Sequence, residues 1–171
     1  MSAFDSVASR ITVERATPGD ALALTRLSKR AFDNDVKYGA PSPGGPYGYD
    51  ARDWQARYIS LRYYWRILRG QTLIGGAVVA LQSPTHAEIH RIFIMPEIHN
   101  LGYGTAAMHA LEAQFSNVRV WSLVTPTWNA RTQHFYERLG YRHVVTMGDQ
   151  KRYEKRIPAP DSKADATEAE Q

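Results

Sequence analysis

The residues with the clearest chemical signature lie between positions 86 and 115, where an apolar stretch ends and a helix begins. Pro96 cannot pair inside a sheet, so a strand is predicted to end just before it. The helix predicted over 102–115 opens on Gly102-Tyr103-Gly104. Glycines there leave backbone N–H groups uncovered, and the helix dipole adds partial positive charge. This strand, loop and helix N-terminus predict a pocket for a phosphate group.

Two familiar phosphate-binding patterns fit this stretch less well. A P-loop requires a lysine followed by serine or threonine after its second glycine, and no lysine stands here. The dinucleotide pattern is matched formally by Gly102, Gly104 and Ala107, but a hairpin rather than a βαβ unit leads into it. A glycine-rich turn that starts an ordinary helix is the alternative interpretation.

A second motif lies downstream and identifies the first. Residues 129–131 read Asn-Ala-Arg, and residues 135–141 read Phe-Tyr-Glu-Arg-Leu-Gly-Tyr. Together with Pro96 and the upstream spacing His99-x-x-Gly102-x-Gly104, this pair resembles the signature motifs of the GNAT family, the Gcn-five-related N-acetyltransferases. The resemblance covers residues 11–156. One departure is His99, where the family prefers glutamine or arginine.

The resemblance implies transfer of an acetyl group from acetyl-CoA to an amine, with no metal. The pyrophosphate would bind the glycine loop, and the pantetheine arm would run along the end of the fourth strand. Asn129 would hold the pantetheine or adenosine part, although asparagine equally suits a helix N-cap. The residues expected to hold acetyl-CoA are Ile92, Phe93, Ile94, His99, Asn100, Leu101, Gly102, Tyr103, Gly104, Thr105, Asn129 and Phe135.

Three side chains are candidates for proton transfer. The amine must lose a proton before it attacks, and the leaving thiolate must gain one. The resemblance assigns the donor role to Tyr136, whose alternative is a core aromatic. Glu88 is the first candidate base, His90 on the same strand face is the second, and a water chain without a dedicated base is the third. Backbone N–H groups near Phe93 and Ile94 would hold the thioester carbonyl oxygen.

The acceptor site is predicted from the loop over residues 36–50. This segment holds four glycines, three prolines and the tyrosines Tyr38, Tyr47 and Tyr49. Long ordered loops in compact domains are usually functional, and tyrosines offer flat surfaces with polar tips. We therefore expect an aromatic mouth for a small amine, with aromatics that merely cover the core as the alternative.

The elements that must position these residues alternate along the chain as β-α-α-β-β-β-α-β-α-β-β. Strand and helix periodicities give this order, and Gly70 marks a hairpin turn. The fold class expected is α/β (α+β), with a mixed, mostly antiparallel central sheet and helices on both faces. The resemblance adds a splayed acetyl-CoA slot between the fourth and fifth strands.

Composition places the chain among ordinary globular proteins. A hydrophobic fraction of 43% and a charged fraction of 22% exclude a mostly disordered or fibrous chain. The net charge is +4, and since residues 157–171 carry −3, the remainder carries +7, which favours an anionic ligand. We expect a loose segment over 1–10, one N-acetyltransferase domain over 11–156 and a disordered acidic tail over 157–171.

Several other classes find no support in the sequence. Without cysteine there is no disulfide or thiolate chemistry, no histidine spacing suits a metal, and no hydrolase motif occurs. We expect no nucleic acid and no membrane among the partners, a cytoplasmic location and, by resemblance, a possible homodimer. The alternatives to a small-amine acetyltransferase are a protein lysine or N-terminal acetyltransferase and a catalytically silent acyl-CoA-binding module.

Overall fold

A computed structural model describes residues 10–159. Its strands are β1 (Ile11–Arg15), β2 (Tyr64–Arg69), β3 (Thr72–Ser83), β4 (His86–Ile94), β5 (Val120–Pro126), β6 (Arg142–Met147) and β7 (Gln150–Arg156). Its α-helices are α1 (Ala21–Asp33), α2 (Arg52–Ser60), α3 (Tyr103–Glu112) and α4 (Ala130–Arg138). The order of elements is the predicted one, with ends that differ by a few residues.

The strands form one sheet in the order β1-β2-β3-β4-β5-β7-β6. Among the described strands every neighbouring pair is antiparallel except β4 and β5, which run parallel. A parallel pair needs a crossover connection, and α3 supplies it. The predicted mixed, mostly antiparallel sheet is therefore confirmed.

The single parallel pair also has the shortest ladder in the sheet. The β4–β5 ladder runs only from His86 opposite Val120 to Ile89 opposite Leu123. Beyond it β4 continues to Ile94, still paired with β3, while the end of β5 pairs with β7 alone. The two strands therefore diverge and leave an open slot at their carboxyl ends.

A β-bulge interrupts β4 just before the slot. Ile89 pairs with Val79 and Arg91 pairs with Val78, so His90 has no partner on β3. Regular alternation of faces stops at such an extra residue. Ile89 and Ile92, three residues apart, accordingly pack in the same core cluster. The bulge lies between Ile89 and Arg91, after Glu88, so the shared face of Glu88 and His90 stays a prediction.

Each face of the sheet has its own hydrophobic core. On one face α1 packs Ala21, Leu24 and Leu27 against β-strand residues that include Tyr64 and Phe93. The spacing of these α1 residues is that of an amphipathic helix. On the other face α3 and α4 cover a larger cluster centred on Met108, Leu111, Trp121, Leu123, Tyr141 and Tyr153. Burying each large side chain contributes about 1.5–3 kcal/mol, so both faces hold the slot's walls rigidly.

The predicted loose segment over 1–10 and the acidic tail lie, apart from Arg10 and residues 157–159, outside the described residues. Ile157, assigned to the tail, donates its N–H to the Arg119 carbonyl at 2.8 Å and packs against the core. Of the helices between residues 10 and 159, none has the length and apolar character needed to cross a bilayer.

Candidate active site

A cleft of about 690 Å³ opens where β4 and β5 diverge. Its walls come from the end of β4, the loop before α3, the start of α4 and the loop after α1. Of the predicted site residues, those that line it are His90, Ile92, Phe93, Ile94, His99, Asn100, Gly102, Gly104, Thr105, Asn129, Phe135 and Tyr136. Those that do not are Glu88, Leu101, Tyr103, Tyr38, Tyr47 and Tyr49.

 In chain order the lining residues run from Ala31 to Gln150, so the fold rather than local sequence assembles the cleft.

The loop that leads into α3 has the backbone geometry of an anion site. Gly102 is the N-cap of α3 with a φ of 83°, a left-handed conformation that glycine adopts without strain. The N–H groups of the first helical turn have no intrahelical acceptor, and Gly104 and Thr105 of that turn line the cleft. Gly104 has a second reason to be glycine, because an added Cβ would lie 3.3 Å from the Phe135 ring. The helix start can therefore receive a phosphate.

His99 holds this loop against the end of β4. Its Nε2 lies 2.8 Å from the Ile94 carbonyl oxygen, so Nε2 carries the proton and donates. Its backbone N–H donates to the Pro96 carbonyl at 3.2 Å. Burial lowers the pKa of His99, which keeps the ring neutral at pH 7. Both N–H groups of His99 therefore already donate within the protein. The His99 side chain has no free donor left for a phosphate.

The free edge of β4 presents backbone donors to the slot. Met95 donates its N–H to the Ile74 carbonyl of β3 at 2.8 Å. Alternate residues of a strand direct their N–H groups to the same neighbour, so the N–H of Phe93 also faces β3. The N–H groups of Ile92 and Ile94 then face the slot. The predicted oxyanion donors near Phe93 and Ile94 are accordingly narrowed to Ile92 and Ile94.

Tyr136 brings a protonated phenol to the cleft. It lies on α4 and is only 8% exposed, with the rings of Phe135 and Tyr141 packed beside it at centroid distances of 5.3 and 5.9 Å. Burial raises the pKa of Tyr136 to about 12. The hydroxyl therefore stays protonated at neutral pH and is available as a hydrogen-bond donor.

Asn129 serves as the N-cap of α4 while it also lines the cleft. Its Oδ1 accepts a hydrogen bond from the Thr132 N–H at 3.2 Å, and the residue is buried. The helix N-cap role that the sequence analysis gave as the alternative for Asn129 is therefore confirmed. Within residues 10–159 its side-chain amide nitrogen donates to no protein acceptor.

The two candidate bases occupy different surroundings. The Glu88 carboxylate accepts a hydrogen bond from Gln82 Nε2 at 3.0 Å and is not among the cleft residues. His90, the bulged residue of β4, is exposed and lines the cleft. Of the two, only His90 is placed where an amine bound in the cleft could meet it.

The predicted aromatic mouth is not built by the loop tyrosines. The Tyr47 side chain is 90% exposed, the Tyr49 hydroxyl donates to Asp33 at 2.9 Å, and the Tyr38 ring lies 4.3 Å beneath the Arg131 guanidinium. None of the three lines the cleft. The loop contributes its small residues and prolines instead, namely Ala40, Pro41, Ser42, Gly44, Gly45 and Pro46.

Four charged residues of the cleft were missed by sequence reasoning, namely Asp35, Arg91, Arg131 and Arg138. Arg131 donates to the Asp35 carboxylate at 3.1 Å, and burial raises the pKa of Asp35 while the guanidinium opposes that rise. These partners stand far apart in the chain, so no local spacing signals them. Arg91 gave a signal that was overlooked, since it is a lone cation in the apolar run Ile-His-Arg-Ile-Phe-Ile.

Among residues 10–159, no cluster of three or more histidine, aspartate or glutamate side chains lies close enough to hold a metal ion. A second concavity of about 860 Å³ follows the outer β1–β2 edge, lined by residues such as Arg10, Glu14 and Arg66. It shares no lining residue with the cleft.

Solved structures resemble the fold closely. The PaiA N-acetyltransferase of Thermoplasma acidophilum, solved with coenzyme A, superposes with a TM-score of 0.69 at 16% identity, covering 86% of this chain and 99% of that one. A GNAT acetyltransferase of Streptococcus agalactiae 2603 gives 0.76 at 18% identity, covering 87% and 96%. The ribosomal-protein-S18-alanine N-acetyltransferase of Escherichia coli gives 0.68 at 16% identity, covering 90% and 98%. At these identities the likeness shows the fold alone.

Sequence comparison shows the family. The protein YrkN of Bacillus subtilis (strain 168) is 31% identical over 114 residues, an alignment that covers 66% of this chain and 52% of YrkN. The chain thus spans about half the length of that relative. The family model of the GNAT acetyltransferases matches residues 24–141, which include the cleft's helix N-terminus and Tyr136. The chain belongs to the GNAT acetyltransferase family.

Proposed function

We propose that this protein transfers the acetyl group of acetyl-CoA to the primary amine of a small molecule, by direct attack within a ternary complex. The observation that carries the proposal is the meeting of three features in one cleft. They are the anion-binding start of α3, the free N–H groups of β4 and the protonated hydroxyl of Tyr136. Acetyl-CoA needs all three, for its phosphates, its thioester carbonyl oxygen and its sulfur.

In this proposal the protein holds acetyl-CoA along the slot. The backbone N–H groups of the loop and first turn over 100–105 bind the pyrophosphate. The end of β4 over 92–94 pairs with the pantetheine arm, in the place that β5 leaves open. Asn129 offers its amide nitrogen and Phe135 an apolar surface on the opposite wall.

The proposed reaction moves one acetyl group and one proton. The neutral amine attacks the thioester carbon, and the N–H groups of Ile92 and Ile94 stabilise the negative oxygen. The C–S bond then breaks, Tyr136 gives its proton to the departing thiolate sulfur, and the resulting phenolate regains a proton from solvent. His90, or water beside it, takes the amine's proton. The Glu88 carboxylate stands as the alternative base and would have to act through water.

A small acceptor fits the cleft better than a protein segment does. The loop after α1 lines the cleft with Ala40 to Pro46, and its Gly45 packs directly on Phe32 and Tyr49. This wall narrows the side from which an extended peptide would enter. A protein lysine or N-terminus is the other acceptor class and is an outcome of the test below.

A homodimer belongs to the same proposal. β6 is the outermost strand of the sheet and every one of its residues is exposed. Val144, Val145 and Met147 are among them, and apolar side chains on an edge strand favour a second chain over water. Light scattering of the purified protein tests the dimer directly.

The test of the function begins with a thermal melt. Acetyl-CoA at about one hundred times its Kd adds about 2.7 kcal/mol of stability, which raises Tm by roughly 5–10 °C in a domain of this size. Thiol release is then measured with small amines and with peptides. Release with amines supports the proposal, release with peptides alone supports a protein acceptor, and a melting shift without any release supports a silent acyl-CoA-binding module. No shift at millimolar acetyl-CoA refutes all three.

A further inference from the structure

Arg91 is a buried cation on the acceptor side of the cleft. It follows the bulge in β4, lines the cleft and is only 6% exposed. Its guanidinium carbon lies 4.0 Å from the centre of the Trp54 ring and 5.8 Å from that of Phe32. Aromatic faces attract a cation, so the rings hold the guanidinium in place without neutralising it.

The hydrogen bonds of Arg91 are incomplete. Its Nη2 donates to the Tyr47 carbonyl at 2.9 Å and to the Pro46 carbonyl at a longer 3.5 Å. Its Nε and Nη1 are buried and contact no acceptor within residues 10–159. No carboxylate in that part of the chain forms an ion pair with it. A buried charge without a counter-ion and a buried N–H without an acceptor each destabilise the fold.

A carboxylate would satisfy both deficits at once. Nε and Nη1 each form one arm of a planar fork whose other arm is Nη2. A carboxylate that replaces the long contact to Pro46 gains two parallel charge-assisted hydrogen bonds on such a fork. The one positive charge of Arg91 matches a monoanion such as a carboxylate. The basic body of the chain favours the same sign of ligand.

We propose that Arg91 is the carboxylate receptor of the acceptor site, so that the amine acetylated is one that also carries a carboxylate, such as a free amino acid. This inference rests on the proposed function and specifies its substrate class. Arg91 then orients the acceptor and does not take part in proton transfer. Its removal should affect acceptors with a carboxylate more than those without one.

The test compares L-amino acids with the matching L-amino acid amides. Both kinds of acceptor present the same amine, and only the first presents a carboxylate. We expect thiol release to favour the acid at least tenfold in kcat/KM. We expect Arg91→Gln and Arg91→Lys to lower kcat/KM for the acid about 10- to 100-fold more than for the amide. Arg142→Gln, on exposed β6, is the matched control.

The outcomes separate this inference from the proposed function. Equal use of acid and amide, or equal losses on both in the Arg91 variants, overturns the inference while the function stands. If no amine is acetylated, calorimetric titration of the CoA-saturated protein with the same acids and amides still measures whether Arg91 favours a carboxylate. A lack of preference for the acid there also overturns it. If a thermal melt shows that Arg91→Gln does not fold, the same comparison is made with Arg91→Lys alone. That variant keeps the positive charge and loses the planar fork of the guanidinium.

Discussion

Replacing Tyr136 by phenylalanine removes one oxygen atom from the cleft and leaves the ring in its packed position. The ring is 8% exposed between Phe135 and Tyr141, so phenylalanine fills the same space. No protein acceptor for the hydroxyl is present in residues 10–159. We therefore expect the free energy of unfolding to stay within about 0.5 kcal/mol of the wild-type value.

The same change should be severe for catalysis. A positioned proton donor contributes about 10²- to 10⁴-fold to a rate, so kcat should fall by that factor while acetyl-CoA binding persists. Because the pKa of Tyr136 is raised to about 12, the phenol stays protonated from pH 6 to pH 10. Its ionisation should therefore produce no fall in kcat over that range.

The assay is thiol release under saturating acetyl-CoA, paired with a thermal melt. Tyr153→Phe is the matched control, because the Tyr153 hydroxyl donates to Glu137 at 3.1 Å outside the cleft. That control should lose roughly 1–2 kcal/mol of stability and keep its kcat. A Tyr136→Phe protein with kcat within threefold of wild type would refute the donor role.

Three further predictions concern stability. Asn129→Ala should cost about 1 kcal/mol through loss of the α4 N-cap, and Asn129→Ser should restore most of it in a thermal melt. Burial lowers the pKa of His99, so its contribution to stability is present above its unfolded pKa of about 6.5 and is lost as pH falls through the lower folded value. His99→Gln should show a smaller loss of Tm between pH 7 and pH 5, and an equal loss would contradict this reasoning. An alanine Cβ at Gly75 would lie 2.1 Å from the Phe93 carbonyl oxygen. Gly75→Ala should therefore cost about 3 kcal/mol or more in denaturant unfolding, whereas Gly44→Ala, with open space around it, should be neutral.

Local sequence predicts the order of the strands and helices and the glycine motif at the start of α3. Periodicity indicates which residues of one segment share a face. Motifs such as Gly102-x-Gly104 indicate where the backbone conformation of a few neighbouring residues requires glycine. Both signals are local, and both led to features the structure contains. The divergence of β4 from β5 came from family resemblance, since nothing in either strand's own pattern indicates how far a ladder extends.

What local sequence could not show depends on partners distant in the chain. The bulge at His90 exists only relative to the register of β3, so alternation within β4 could not place Ile89 and Ile92 in the same core cluster. The loop tyrosines had the right composition for a binding surface, but turn geometry directs Tyr47 outward. The isolation of Arg91 is visible only once every neighbour is placed.

The brief ladder between β4 and β5 divides the sheet into two mechanical blocks. β1 to β4 form one continuous hydrogen-bonded unit and β5 to β7 form the other, with four residue pairs between them. A molecule seated in the slot touches both units, because the cleft is lined from β4 and from β5 alike. A ligand in the slot therefore holds the two units together. The free energy needed to separate them rises with the binding free energy of that ligand.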